Sequence, residues 1–584
     1  MKNSHYRSLN LVGEGQFGKV YTAIHRQTGE LVALKEFNPE KFSTKKFLRE
    51  MRILLSLEHP NIVCCQGIEH NSRGRHLVIE YCEGGTLRDL LETEVNLTIE
   101  QKLKLITDIL DGLNYAHTQG IIHRDLKPEN ILLSVIPQGW RAKISDFGVA
   151  KIELEDKELN ISTMGDTGSP AYMAPEQFYG KYSYSSDIYS MGIMLYELLI
   201  GNRPFSGSPH EIMVGHLNHT PQFPENLPSS LELILKKALQ KLPQHRFRTA
   251  QEMKTTILNA TLELQSQNLS LYDQIPQKII SFDLVYQEFL EEYINFLTVK
   301  DNFIYQSNSQ TLMIENYQED NHDKISLKSI VKHQLNNKLI DIQTIDSGCI
   351  VNTRNLSDYN KYSLLYCNVF NGDLKILINI ESEYLTYGVA HNNNWFAISK
   401  RWKDEQSFQV IKTKTLIPIT PLIKDFFPQQ IIAIDSRHGL VIYHQREINK
   451  NQTFFRFFNR RGSWQDSYNV SLSLDKIVHH QGQLKTFLTK EKQTDNLVFI
   501  KFEPFAVHRI PLGFKASFWL PSPWGFLCAN LSGNIALLDF NGNYLGETNI
   551  KKTIKAIAPL NKDKIIVITQ ENNQQKKEIY QIKI

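Results

Sequence analysis

Residues 123–130 read His-Arg-Asp-Leu-Lys-Pro-Glu-Asn, and the reading of this octet decides the fold of the first half of the chain. Pro128 has no backbone N–H to give, so the octet is a loop rather than a continuation of the helical run before it. That run begins at Thr98, where Thr98 and Gln101 make a capping box, continues through Leu103, Ile106, Leu110 and Leu113, and can end at Gly120. In the loop, Asp125 can accept a hydrogen bond from an attacking hydroxyl and take its proton late. Lys127 can neutralise a group that carries negative charge, and Asn130 offers the neutral amide oxygen that suits Mg²⁺. Taken singly these are ordinary surface residues, and only their neighbours along the chain give them weight.

Downstream, Asp146-Phe147-Gly148 places a second carboxylate at the end of the apolar run Ala142–Ser145. Upstream, Gly13-Glu14-Gly15-Gln16-Phe17-Gly18-Lys19-Val20 contains a GxGxxG pattern. A dinucleotide site needs such glycines between a strand and a helix. Here they lie between the strand-like runs Leu9–Val12 and Val20–His25, so the expected form is a strand–turn–strand flap whose N–H groups close over phosphate oxygens. The turn Gln27-Thr28-Gly29-Glu30 leads to a further strand, Leu31–Phe37. Alternation along it puts Ala33 and Lys35 on one face, with room for an adenine ring over Ala33 and a charge for the phosphates on Lys35. A helix is expected from about Ser43 to Leu57, with Phe47, Met51, Leu54 and Leu55 inward and Glu50 on the same face to orient Lys35.

Taken in order, Gly13–Val20, Val32–Lys35, Glu50, His123–Asn130, Asp146–Gly148, Ala174-Pro175-Glu176, Ser186–Gly192 and Arg246 resemble the motif set of eukaryotic-type serine/threonine protein kinases, bacterial ones included. The resemblance covers about Tyr6 to Leu262 and implies a bilobal α+β kinase fold. It implies ATP and Mg²⁺ as cofactors, with Mn²⁺ as a substitute, and protein substrates carrying Ser or Thr. By this resemblance ATP binds at Val12, Gly13, Glu14, Gly15, Gln16, Phe17, Gly18, Val20, Ala33, Lys35, the gatekeeper Ile79 and the hinge residues Glu80 and Cys82. Catalysis rests on Asp125, Lys127, Lys35 and Glu50, and the metal on Asn130 and Asp146. Asp187 supports the catalytic-loop backbone, and Glu176 and Arg246 form a buried ion pair. Lys127, two residues after Asp125, follows the serine/threonine pattern; Ser169 stands where most such kinases have Thr and keeps the hydroxyl that bridges Asp125 and Lys127. Arg124 implies control by phosphate on the segment 146–176, with Thr163 and then Ser162 the expected autophosphorylation sites; a dimer phosphorylating in trans is compatible with this. The alternative is a pseudokinase scaffold that acts only by binding, but such a chain usually lacks one of Lys35, Glu50, Asp125, Lys127, Asn130 or Asp146, and all are present.

The chain has 584 residues, too many for one ordinary domain. Lys and Arg number 65 against 62 Asp and Glu, a balance that gives no argument for nucleic acid as a partner. Six cysteines without a CxxC pair read as free thiols in a reducing compartment. The N-terminus has no signal-peptide pattern and no apolar run is long enough to span a bilayer, so membrane insertion is not expected and the expected location is cytoplasmic.

Three domains of organisation follow: a kinase domain over 6–265, a linker with a helix over 266–300, and an all-β region over 301–584. The helix is expected over Ser281–Val299, where Phe282, Val285, Tyr286, Phe289, Leu290, Tyr293 and Ile294 fall at helical spacing. The segment Ser134–Arg141 reads as a slightly long surface turn. In the last region an apolar strand followed by an Asn turn recurs at Asn371, Asn459 and Asn541, about 88 and about 82 residues apart, with weaker turns near the midpoints at Lys412 and Phe502. Those intervals are twice a period of about 40–45 residues, the length of a propeller blade, and suggest about seven units. The expected architecture is a seven-bladed β-propeller that binds an unknown ligand or protein partner on one face. His479-His480 does not read as a metal pair, because adjacent strand residues face opposite ways.

Overall fold

The computed structural model describes residues 4–15, 18–37, 51–71, 74–92, 97–136, 139–147, 151–152, 170–266, 280–320, 324–390, 392–403, 405–420, 423–424, 428–447, 450–459, 461, 463–480, 486–503, 505–572 and 574–583. The chain forms two compact units, Met1–Ile275 with Glu503–Val507, and Pro276–Phe502 with His508–Ile584.

The first unit opens with a five-stranded antiparallel sheet of β1 (Tyr6–Gly15), β2 (Gly18–His25), β3 (Leu31–Phe37), β4 (Cys65–Asn71) and β5 (Gly74–Glu80), in the order β1-β2-β3-β5-β4. Val32 and Leu34 of β3 pack with Ala23 and Val78 in one apolar layer, and alternation turns Ala33 and Lys35 to the other face. A helix, α1, covers residues 51–56 and is the described end of the one expected from Ser43. Its inward face differs from the expected one. Ile53, Leu54 and Leu57 are buried, whereas Leu55 is 54% exposed, because a step of about 100° per residue carries position 55 off the stripe that 53, 54 and 57 share. Phe47 and Glu50 lie outside the described residues.

The rest of this unit is largely helical: α2 (Leu87–Glu92), α3 (Ile99–Thr118), α4 (Tyr184–Ile200), α5 (Pro209–Asn218), α6 (Ser229–Ala238) and α7 (Ala250–Ser266). The capping box of α3 is present, with Thr98 Oγ1 accepting from Gln101 N at 3.3 Å and Gln101 Oε1 from Thr98 N at 3.0 Å. Helix α4 is buried from Ser186 to Leu198, as its nearly all-apolar sequence requires, and Gly201 ends it in a left-handed cap at φ 87°. A Cβ on Gly192 would come within 2.9 Å of Ala238 Cβ, so glycine lets α4 and α6 touch there.

Between α3 and α4 run β6 (Ile121–Ile122), the loop 123–130, the hairpin of β7 (Ile131–Ile136) and β8 (Gly139–Ile144), and β9 (Lys151–Ile152), which pairs with β6. Segment 134–141 is not a long turn. Ser134, Val135 and Ile136 pair with Arg141, Trp140 and Gly139, so the extra residues lengthen the strand ladder.

Seven four-stranded antiparallel sheets lie between residues 281 and 583, nearly all of them in the second unit, and the described residues there contain no helix. Six sheets are continuous in sequence, spanning 296–334, 338–381, 384–424, 430–470, 478–510 and 518–549. The seventh takes its inner three strands from 553–583 and its fourth from β10 (Ser281–Phe289). Asn371 and Asn541 follow the third strands of their sheets and Asn459 ends that of the sheet between, while Lys412 and Phe502 close the third strands of the two sheets that alternate with these. Residues 281–299 therefore correct the expected helix: they form β10 and most of β11 (Phe296–Lys300). The spacing of Phe282, Tyr286 and Leu290 satisfies period 2 as well as period 3.6, and the partner of β10, Gln574–Lys583, lies far along the chain where local periodicity cannot see it. The all-β unit thus begins before residue 301.

Apolar clusters fill the spaces between successive sheets, for example Tyr305, Leu312 and Val331 of the first with Leu339, Cys349 and Val351 of the second. Glutamines stitch some seams: Gln430 gives its amide N–H to Ile477 O at 2.7 Å and accepts from Ile477 N at 2.8 Å. Gln575 does the same with Ile294, at 3.3 and 2.7 Å. The buried Lys577 of the seventh sheet reaches Glu288 of β10 at 2.7 Å and Glu315 of the first sheet at 2.6 Å.

Candidate active site

The loop 123–130 is fixed from beneath by one carboxylate. Asp187, in the first turn of α4, accepts from His123 N and Arg124 N at 2.9 Å each and contacts His117 Nε2 of α3 at 2.9 Å. Burial works against its charge, but the His117 bond, the nearby imidazoles and the Arg124 N–H outweigh it and hold the carboxyl below its ordinary value. Arg124 adopts φ 77°, an unusual conformation that these contacts and Gln177 Nε2, donating to Arg124 O at 2.9 Å, hold in place. Its guanidinium stacks over Tyr182, 4.5 Å from the ring centroid.

This support aims the polar side chains. Lys127 Nζ lies 2.8 Å from Asp125 Oδ2, and Asn130 Nδ2 donates to Asp125 O at 2.7 Å and to Asp125 Oδ2 at 3.1 Å. Ser145 N and Oγ both donate to Asn130 O at 2.9 Å, which sets Asn130 beside the strand end that carries Asp146. His123 Nε2 meets Ser145 O at 3.0 Å, and its ring packs edge-on against the fully buried Phe147. Asp146, at φ 60°, receives Lys35 Nζ at 2.9 Å. Burial opposes its charge, yet Lys35 outweighs it and keeps the carboxyl below its ordinary value. The donor set fits a magnesium ion: Asp146 supplies a carboxylate, and Asn130, having spent its N–H on Asp125, keeps its amide oxygen as an acceptor.

Several of the residues expected to bind the nucleotide lie together on the five-stranded sheet. The flap is a hairpin in which Gly13 opposes Val20, Glu14 opposes Lys19 and Gly15 opposes Gly18. Val20 is paired with Lys35 and Ala33 with Ile79, so Val20, Ala33, Lys35 and Ile79 form one cross-strand patch, with Val12 next to the glycines on β1. Cys82 is buried, and burial pushes its thiol up to about 12, which makes it a packing group rather than a nucleophile. Gln16, Phe17, Glu50, Gly148, Ser162, Thr163 and Ser169 lie outside the described residues.

Several supporting residues escaped the sequence reading. Lys143 of β8 clamps Glu80 at 2.7 and 2.8 Å, and Glu80 also accepts from Cys64 N at 2.6 Å. Arg88 of α2 ties Glu129 and the buried Glu197 at 3.0 Å each. His117 and Gln177 hold Asp187 and Arg124. These partners lie tens of residues apart, and no spacing rule connects them. The Glu176–Arg246 pair was legible and is closed at both oxygens, at 2.7 and 2.8 Å.

Residues 6–258 match the protein kinase domain family. Over 264 residues, 43% of this chain, it is 35% identical to a probable serine/threonine-protein kinase, CPE1738, of Clostridium perfringens, and this stretch covers 37% of that protein. It is 33% identical over 270 residues to the serine/threonine-protein kinase PknB of Mycobacterium tuberculosis, covering 44% of this chain and 43% of PknB. A stretch of 251 residues is 36% identical to the serine/threonine-protein kinase RUNKEL of Arabidopsis thaliana, 18% of that protein. The chain thus spans less than half the length of each of these curated relatives.

Proposed function

We propose, from the premise that residues 6–258 are a protein kinase domain, that this chain is a serine/threonine protein kinase that moves the γ-phosphoryl group of ATP to Ser or Thr hydroxyls of proteins. The observation that carries this reading is the grouping of Asp125, Lys127 and Asn130 in hydrogen-bonding contact, with Ser145 joining Asn130 to the Lys35–Asp146 pair. Asp125 orients the acceptor hydroxyl and takes its proton as the bond to phosphorus forms. Lys127, already paired with Asp125, faces the transferring group and offsets its charge. Lys35 lies where the flap would place the phosphates, and in this reading it exchanges Asp146 for them when Glu50 draws it over. Mg²⁺ held by Asp146 and Asn130 would neutralise phosphate charge. Val12, Val20, Ala33 and Ile79 enclose the adenine, and the backbone at Glu80 and Cys82 pairs with its edge.

Arg124, beside Asp125, supports control by phosphate on the segment between residues 146 and 176, with Thr163 and Ser162 as acceptors. The second unit reads as a seven-bladed β-propeller, supported by seven four-stranded sheets of which the last is completed by the first strand. Closure of that kind removes long free edges. Its described residues carry no catalytic constellation, and the unit suits recruitment of a ligand or protein partner. No helix among the described residues is long and apolar enough to cross a membrane.

Transfer of labelled phosphate from ATP to a generic Ser/Thr protein substrate tests the reading. Asp125→Asn should lose the transfer by about 10²–10⁴-fold while ATP still binds. Full activity in that variant would overturn the assignment.

A further inference from the structure

All six cysteines are free thiols, and four of them are buried. Two of the four are not isolated. Cys349 lies on the strand Gly348–Arg354 and Cys367 on the neighbouring Lys361–Asn368, directly opposite each other in register. Residues so opposed in an antiparallel pair have Cα atoms about 4.5–5.5 Å apart, within the about 4.4–6.8 Å that a disulfide spans. Both side chains are buried in the same apolar cluster. The neighbouring sulfur and burial together raise Cys349 well above its ordinary value, and Cys349 holds Cys367 below its own. Around them are Tyr305, Leu312, Val331, Leu339 and Val351, an apolar shell. The described residues show no cluster of three metal-binding side chains, so the chemistry open to the pair is that of sulfur.

We propose that Cys349 and Cys367 form a peroxide-responsive dithiol that closes to an intramolecular disulfide. The Cys367 sulfur attacks one oxygen of hydrogen peroxide. The O–O bond breaks, and the second oxygen leaves with the thiol proton as water, giving a sulfenic acid. The Cys349 sulfur then attacks that sulfur. The S–S bond forms, the S–O bond breaks, and the oxygen leaves as a second water with the Cys349 proton. Two thiols lose two electrons in all, and one peroxide gains them. Cys528 serves as an internal control: it is equally buried, but burial alone raises its thiol and no sulfur faces it.

The full chain is treated with hydrogen peroxide, denatured, alkylated and digested without reduction. The expected result is a peptide pair joined through Cys349 and Cys367, two hydrogens lighter than the dithiol and released by dithiothreitol, while Cys528 stays alkylated. Equal alkylation of Cys349, Cys367 and Cys528 overturns the proposal, as does accumulation of sulfinic acid at Cys367 in place of the link. In Cys349→Ala the sulfenic acid on Cys367 should persist and be trapped by dimedone. If that variant does not fold, the cross-link measurement on the unaltered chain still decides.

Discussion

Asp187 shows how much of this site depends on residues that do no chemistry. One carboxylate accepts two consecutive backbone N–H groups of the loop 123–130 and meets His117, in a buried position. Asp187→Asn leaves a neutral group that cannot hold all three, and hydrogen bonds to a charged acceptor contribute about 1.5–3 kcal/mol each. The variant should unfold at lower denaturant concentration by about 3 kcal/mol and lose transfer activity with it. The pH dependence has a fixed sign. Because the folded carboxyl lies below its ordinary value, its contribution is present above the unfolded value of about 3.9 and disappears as pH falls through the folded one. Stability curves of the two proteins should therefore differ at neutral pH and converge in strong acid. A constant gap at every pH would sink this account. Of the site, Asp125, Lys127, Asn130, Asp146 and Lys35 could be read from the sequence because each sits in a motif whose order along the chain is itself informative. Lys143, Arg88, His117 and Gln177 could not, because their partners are set by packing between elements.

At the scale of elements, legibility followed the distance to the partner. The capping box of α3 needs only residues three apart, and Thr98→Ala should cost about 1 kcal/mol, seen as a small shift in the denaturation midpoint without loss of phosphotransfer. The buried run of α4 was equally local. Strand β10 was misread as a helix because what makes it a strand is its pairing with Gln574–Lys583. The segment 134–141 differs from the expected long turn for another reason: its pairing is local, Ser134–Ile136 with Gly139–Arg141, but Pro137-Gln138-Gly139 reads as turn chemistry and hides how far the two strands extend. Dependence on distant partners, as in β10, makes Lys577 a sensitive position. Its ammonium is fully buried between Glu288 and Glu315, which come from different sheets. Lys577→Met would leave two carboxylates facing each other without their counter-charge, and breaking a buried pair in this way costs about 3–5 kcal/mol. The expected result is a marked fall in the thermal midpoint of the all-β unit. Double replacement with Glu315→Gln should recover part of the loss, and a double variant as unstable as the sum of the singles would argue that the pair is not coupled.

At the scale of the whole molecule, the seven sheets depend on a strand supplied 264 residues before the strands it completes begin to pair, if Phe289 is counted to Thr553. A repeat array gains stability mainly from interfaces between neighbours. Loss of one edge strand in an open array would be a local event. If the sheets close on themselves, as proposed, that strand instead latches the two ends of the array, with Lys577 bridging β10 to the first sheet and Gln575 bridging the seventh sheet to Ile294. Deleting residues 281–289 from the full chain distinguishes the two cases. A closed array should lose cooperative unfolding throughout residues 296–583, with amide exchange accelerated in sheets far from the deletion, such as 384–424 and 430–470. An open one should show faster exchange only in the strands 564–571 and 574–583. The first unit supplies an internal reference in the same experiment. Its helices α3 and α4 are held by the Asp187 contacts and the apolar face of α4, so their amides should exchange as slowly in the deletion as in the parent chain.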